Sequence, residues 1–161
     1  MSFVIRRATD QDTSAILDCL RAAFEPYRLS YSVDAFRDTV PAPEAIRGRL
    51  ATMIVLVAVE SNAAVVSTVA GRCLETSEGH LRGMAVAPTW QGSGVADDLL
   101  AAIEAELRAL GCARITLDTT EPLHKAVQFY RKHGYEPSGR VTDFFGMPLH
   151  EYVKSFTAVG P

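Results

Sequence analysis

The stretch MAVAPTWQGSGVA, residues 84–96, contains an apolar segment stopped by Pro88, a turn with Gly92 and Gly94, and the start of a helix. The helix is predicted over residues 94–110, because apolar side chains recur there at helical spacing. The first turn of a helix has backbone N–H groups without intrahelical partners, and glycine lets an anion approach them closely. The stretch therefore predicts a strand, a loop that suits a phosphate, and a long helix.

The glycine-rich loop matches neither of two common nucleotide-binding patterns. It has no lysine like that of a P-loop, and it lacks the GxGxxG spacing of a dinucleotide site. Two glycines alone are equally consistent with a tight turn from strand to helix. The loop by itself leaves both interpretations open.

The remaining sequence alternates strand-like and helix-like segments. Strands are predicted over 3–8, 53–59, 64–73, 81–86, 113–117, 135–141 and 144–156. Helices are predicted after the capping residue Thr9 as far as Pro26, over 33–50 with a break at Pro41 and Pro43, over 94–110, and over 122–133. Hairpin-linked strands followed by strand–helix–strand units predict one mixed sheet with helices on its faces.

Length and composition narrow the class of protein. The chain has 161 residues, 48% of them hydrophobic, and a net charge of -3, which predicts one folded domain over residues 1–161 rather than a disordered chain. A basic surplus typical of nucleic-acid binding is absent, and no apolar run is long enough for a membrane span. Three scattered cysteines and no secretory signal predict a cytoplasmic location.

Two motifs together give a specific resemblance. Gln91-Gly92-Ser93-Gly94-Val95-Ala96 matches the pattern Q/R-x-x-G-x-G/A, and residues 126–135, AVQFYRKHGY, resemble A-x-x-F-Y-x-x-x-G-F. With this spacing the chain resembles the GCN5-related N-acetyltransferase (GNAT) superfamily. The resemblance implies an α/β (α+β) fold. Its central sheet would be mixed, mostly antiparallel, of about seven strands, splayed between the fourth and fifth strands and flanked by about four helices.

The resemblance also implies a cosubstrate, acetyl-coenzyme A, and a site for it. Backbone groups of Met84, Ala85 and Val86 would pair with the pantetheine arm, and the N–H groups of residues 92–96 would hold the pyrophosphate. The residues implied in cofactor binding are Met84, Ala85, Val86, Gln91, Gly92, Ser93, Gly94, Val95 and Ala96. Relatives often have an asparagine where this chain has Leu123, and His124 is a possible substitute.

Acyl transfer from a thioester to an amine needs a proton donor for the thiolate and a base for the amine. Tyr130 matches the donor tyrosine of the family, although packing on the sheet is the alternative interpretation of this residue. His80 is the candidate base, because strand alternation puts it on one face with Arg82, Met84 and Val86, and a surface histidine at the end of a strand is the alternative interpretation. Glu78 is a lesser candidate for the base, and Glu25 and Tyr27 lie in the segment that lines the acceptor site in relatives. No histidine spacing suggests a metal site.

These expectations describe an acetyl-CoA-dependent N-acetyltransferase that acts on a primary amine in a ternary complex. A small-molecule acceptor is favoured over a protein, and a homodimer is possible because family members often dimerise. Two alternatives remain: a protein or peptide acetyltransferase, and a coenzyme A-binding regulatory module without turnover. Thiol release from acetyl-CoA would distinguish the module from the enzyme.

Overall fold

Seven strands and five α-helices follow one another in a computed structural model that describes residues 2–61 and 64–156. The ends of the predicted domain, Met1 and residues 157–161, lie outside the described residues. The strands are β1 (Phe3–Arg7), β2 (Ile54–Glu60), β3 (Val65–Cys73), β4 (Glu78–Val86), β5 (Arg114–Thr120), β6 (Glu136–Phe144) and β7 (Met147–Ser155). The helices are α1 (Thr13–Phe24), α2 (Val33–Thr39), α3 (Pro43–Thr52), α4 (Val95–Ala109) and α5 (His124–Lys132). The predicted break at Pro41 and Pro43 separates α2 from α3.

All strands belong to one sheet, in the order β1-β2-β3-β4-β5-β7-β6. Every neighbouring pair is antiparallel except β4 and β5, which are parallel. Residues 78–81 of β4 pair with residues 114–117 of β5, and beyond that point the two strands no longer pair with each other. The mixed sheet and its splay between the fourth and fifth strands are confirmed.

Apolar side chains pack on both faces of the sheet. On one face, α4 contributes the fully buried Leu99, Ile103 and Leu107 to a cluster that includes Ile115 of β5. On the other face, α1 and α3 pack against β2, β3 and the end of β4. The last member of the predicted stripe on α4, Leu110, is 59% exposed because the helix ends one residue earlier. None of the helices within residues 2–61 and 64–156 has the length and apolar character needed to cross a bilayer.

A β-bulge interrupts β4. Ala70 of β3 faces Arg82, whereas Thr68 faces Ala85, so two residues of β4 lie opposite one residue of β3. The extra residue is Gly83, whose φ of +63° lies in the left-handed region that favours glycine.

The bulge reverses the inside–outside alternation of the strand. Met84 packs in the same cluster as Leu81, whereas Ala85 joins the cluster on the opposite face. The prediction that His80, Arg82, Met84 and Val86 share one face is therefore wrong. A simple period of two does not survive a bulge.

Candidate active site

A cleft opens where β4 and β5 diverge. Its volume is about 1380 Å³, and it extends from the glycine-rich loop before α4, past the end of β4, to α2 and α3. Because the strands separate beyond Leu81 and Leu117, the gap joins the two faces of the sheet. Side chains from opposite faces therefore line one continuous space, among them Tyr130 and His80.

The loop before α4 has backbone N–H groups that need an external partner. Gly92 and Gly94 have φ values of +81° and +89°, and Gly94 is the residue that precedes the helix. Within residues 2–61 and 64–156, the N–H groups of Gly92, Gly94, Ala96 and Asp97 donate no hydrogen bond. Such orphan donors at a positive helix end suit an anion.

Charged side chains beside this loop affect the local charge that an anion would meet. Lys125 and Lys132 both line the cleft. Asp97, in the first turn of α4, contacts His133 at 2.6 Å and Lys132 at 3.5 Å, and the hydrogen bond to His133 lowers the pKa of its carboxyl group. The acidic residue in this first turn is thus already engaged by His133 and Lys132.

Tyr130 combines burial with an open hydroxyl group. The residue is 9% exposed and packs in the cluster under α4, with its ring edge-to-face against Phe129 and Tyr135. Its hydroxyl has no hydrogen-bond partner among the described residues. Every side-chain N or O atom that is fully buried in the described part of the chain has a partner, so the Tyr130 hydroxyl must be in contact with solvent. Burial raises the pKa of the phenol, so it stays protonated at neutral pH.

His80 belongs to a polar group on the other face of the sheet. Its Nδ1 lies 2.8 Å from Thr116 Oγ1, and its Nε2 lies 3.6 Å from Asp118 Oδ2. Burial lowers the pKa of His80, and the nearby Arg72 and Arg82 add to this effect, while Asp118 opposes it. Burial also raises the pKa of Asp118. His80 is therefore mostly neutral near pH 7 and able to accept a proton.

Most residues singled out from the sequence line the cleft. They are Tyr130, His80, Tyr27, Met84, Ala85, Val86, Gln91, Gly92, Ser93, Gly94 and Ala96. Val95 does not: its side chain is fully buried, and its N–H donates to Ser93 Oγ at 3.3 Å. The sequence pattern places Val95 beside the loop but cannot show that its amide already has a partner.

Other predicted residues lie away from the cleft. Glu78 contacts Arg114 at 3.4 Å, and the exposed Glu25 contacts Arg28 at 2.9 Å, so both have ordinary ion-pair partners. Leu123 lines the cleft, whereas His124 lies in a separate surface depression beside Tyr27. The position of His124 therefore does not support the idea that it takes over the cofactor contact of the asparagine found in relatives.

The cleft residues missed by the sequence analysis include Arg49, Asp118 and Tyr31. Tyr31 forms a hydrogen bond of 2.6 Å with Thr120, between the segment before α2 and the end of β5 that no longer pairs with β4. The sequence did contain a signal for Asp118: it is a charged residue in a strand whose Ile115 and Leu117 are buried on the opposite face. Arg49 and Tyr31 had none, because their approach to the cleft depends on how α3 and the preceding turn pack.

Comparison with known proteins agrees with this geometry. The model of the acetyltransferase (GNAT) family matches residues 14–135, and the chain belongs to that family. The resemblance found in the sequence is thereby confirmed. Aminoglycoside N(6')-acetyltransferase type 1 of Stenotrophomonas maltophilia is 42% identical over 71 residues, which cover 44% of this chain and 46% of that relative's length.

Solved structures show the same fold at low sequence identity. The PaiA N-acetyltransferase of Thermoplasma acidophilum, solved in complex with coenzyme A, has a TM-score of 0.80 and 17% identity, covering 97% of this chain and 100% of that one. The ribosomal-protein-S18-alanine N-acetyltransferase of Escherichia coli has a TM-score of 0.78 and 13% identity, covering 99% of this chain and 97% of that one. At such identities the likeness establishes the fold.

Proposed function

We propose that the protein is an acetyl-CoA-dependent N-acetyltransferase that acetylates a primary amine of a small molecule. The supporting observation is the single cleft that joins the orphan N–H groups before α4, the open edge of β4, the Tyr130 hydroxyl and His80. Family membership supplies the reaction class. The shared cleft supports the proposal that these groups act in one reaction.

The residues present suit coenzyme A. The N–H groups of Gly92, Gly94, Ala96 and Asp97 would donate to the diphosphate, with Lys125 and Lys132 nearby. The edge of β4 from Gly83 to Val86, which is not paired with β5, would hydrogen-bond the pantetheine arm as a neighbouring strand would. When bound, acetyl-CoA supplies an activated acyl group as a thioester.

Three groups of the chain would then serve the transfer. Neutral His80 would accept the proton of the acceptor amine, and Thr116 would hold its ring in place. Backbone N–H groups at the bulge, near Met84 and Ala85, would stabilise the oxyanion. The protonated Tyr130 phenol would donate to the departing thiolate.

A small acceptor is favoured by the named activity of the relative from S. maltophilia, an aminoglycoside acetyltransferase. Because that match covers less than half of either chain, it supports a small amine as a class without identifying the compound. Acetylation of a protein amino group is the alternative, and an acceptor panel that includes peptides distinguishes the two.

The test measures thiol release from acetyl-CoA with a panel of primary amines, for the wild type and the variant Tyr130→Phe. Loss of a general acid commonly costs about 100- to 10,000-fold in rate, so we expect kcat to fall at least about 100-fold with little change in coenzyme A affinity. Tyr152→Phe is the matched control, because Tyr152 packs in the same buried cluster but does not line the cleft.

The outcomes separate the hypotheses. Coenzyme A binding without thiol release across amines and peptides would favour a regulatory module and overturn the enzymatic proposal. Equal turnover of Tyr130→Phe and the wild type would remove Tyr130 from the mechanism.

A further inference from the structure

The side of α3 that faces the cleft carries one large charged residue among small ones. Ala45, Gly48, Arg49 and Thr52 all line the cleft, at the spacing of one helical face. A Cβ atom added to Gly48 would meet nothing within 4 Å. The small neighbours therefore leave open space around the side chain of Arg49.

Arg49 forms no direct ion pair with any residue that the structure describes, although Asp38 is near enough to favour its charged form. Its guanidinium group also donates no hydrogen bond within residues 2–61 and 64–156. The group lies against the bulge of β4, where its Nη1 is 2.7 Å from the position that a Cβ atom on Gly83 would take. Burial, together with the charge of Arg82, lowers its pKa to about 10. A half-buried guanidinium is usually paired, so this one is suited to a ligand.

The neighbouring charges leave this part of the cleft positive. Arg82 contacts Asp38 at 3.5 Å, and Asp38 is also the carboxylate that favours the charged form of Arg49. Two guanidinium groups thus share one carboxylate. Arg82 also lowers the pKa of His80, so its charge reaches both Arg49 and the candidate base.

We propose that the acceptor carries a carboxylate near its primary amine and that Arg49, assisted by Arg82, binds this carboxylate. The inference rests on the proposed function and adds the chemical class of the acceptor, an amino acid or a similar aminocarboxylate. The planar guanidinium group offers paired N–H donors that match the two oxygens of a carboxylate. The amine would then extend past Arg82 towards His80.

This acceptor class differs from that of the aminoglycoside-acetylating relative. An aminoglycoside is a polycation, and its binding beside Arg49 and Arg82 would place like charges together at a half-buried site. An acceptor with a negative group relieves the repulsion between the two arginines. The electrostatics therefore favour an aminocarboxylate over a polycationic amine.

The first experiment compares matched acceptors by thiol release from acetyl-CoA with the wild-type protein. The panel contains the standard amino acids, their carboxamides, kanamycin, and ethanolamine with and without O-phosphorylation. We expect at least one amino acid to exceed its carboxamide about tenfold or more in kcat/KM. Preference for a carboxamide or for kanamycin overturns the proposal, as does the absence of turnover with every acid-bearing amine. Preference for phosphorylated ethanolamine over all amino acids overturns the carboxylate and assigns the site to phosphate.

The second experiment tests Arg49 with the best carboxylated acceptor. A hydrogen bond to a charged group is worth about 1.5–3 kcal/mol, so Arg49→Gln should raise KM for that acceptor about 10- to 100-fold. Its effect on the matching carboxamide should be less than about threefold, and Arg49→Lys should restore part of the loss because the charge remains. Arg47→Gln is the control, an exposed residue of the same helix that does not line the cleft.

A purely structural role of Arg49 would affect the acid and its amide equally, and that result overturns the proposal. So does a rise in KM for acetyl-CoA with no change for the acceptor, because it would assign Arg49 to the cofactor. Failure of this inference leaves acetyl-CoA binding and turnover of other amines intact. Failure of the proposed function abolishes thiol release with every acceptor, so the two failures are distinguishable.

Discussion

The bulge at Gly83 allows a quantitative test of the cleft geometry. Gly83 has a φ of +63°, a conformation that costs a residue with a Cβ atom about 1–2 kcal/mol. The Cβ atom of an alanine there would lie 2.7 Å from Arg49 Nη1, but that atom ends a flexible side chain, so it can move at small cost. The lower entropy of the unfolded alanine chain offsets part of the strain. The net expectation for Gly83→Ala is a loss of about 1 kcal/mol in the free energy of unfolding.

Gly48 provides the matched control because it also lines the cleft but lies inside α3 with open space around it. Alanine in a helix interior is favoured over glycine by about 0.5–1 kcal/mol, so Gly48→Ala should be more stable than the wild type. For a chain of this size 1 kcal/mol corresponds to about 2–4 °C in Tm, so the two variants should differ by about 3–8 °C. Thermal and urea unfolding without ligand measure this difference. A Gly83→Ala protein as stable as the wild type would refute the left-handed bulge.

Three further predictions concern individual side chains. Asp12 contacts Arg6 at 2.8 Å, and this contact lowers the pKa of the Asp12 carboxyl group. Asp12→Asn should therefore lower the free energy of unfolding at pH 7 by about 1–2 kcal/mol. In urea unfolding at different pH values, this difference should disappear as the pH falls through the folded-state pKa, below about 4. Lys154→Met should lower the free energy of unfolding by about 2–4 kcal/mol, measured by urea unfolding, because the buried Glu104 carboxylate loses its cation. Glu104→Gln in the same chain should recover part of this loss, because the neutral amide can still accept the hydrogen bond from Tyr135. Because burial lowers the pKa of His80, kcat/KM should decline only at a pH below about 6.5, the ordinary pKa of histidine. If the His80→Asn variant showed the same decline at acidic pH, the role of His80 as the base would be contradicted.

Local patterns in the sequence were sufficient for most elements of the fold. The stripe of apolar residues on α4, the prolines at the start of α3 and the β-branched run of β2 each specify their element through spacing or backbone restriction. The ends of the last two strands were less well predicted. Phe145 and Gly146 both have positive φ values, which confine the turn between β6 and β7 to these two residues. A phenylalanine in that conformation gives no turn signal in the sequence.

The residues of the candidate site likewise differ in how far the sequence could predict them. The loop from Gln91 to Ala96 and Tyr130 were identified because they belong to contiguous motifs whose spacing is visible in the sequence. The faces of β4 were assigned wrongly because the bulge at Gly83 adds a residue on one strand only, and its position depends on pairing with β3. Arg49 was missed for a related reason: nothing around it in α3 shows that its side chain reaches β4.

The sequence by itself thus determined the order of the elements and the position of the glycine-rich loop, since these depend on interactions between residues close along the chain. Only the tertiary structure decided that Tyr130 and His80, from opposite faces of the sheet, line one cleft, and that Arg49 lines it without a direct ion pair to any described residue. The physical reason is that the gap between β4 and β5, and the electrostatic environment within it, arise from contacts between segments far apart in sequence.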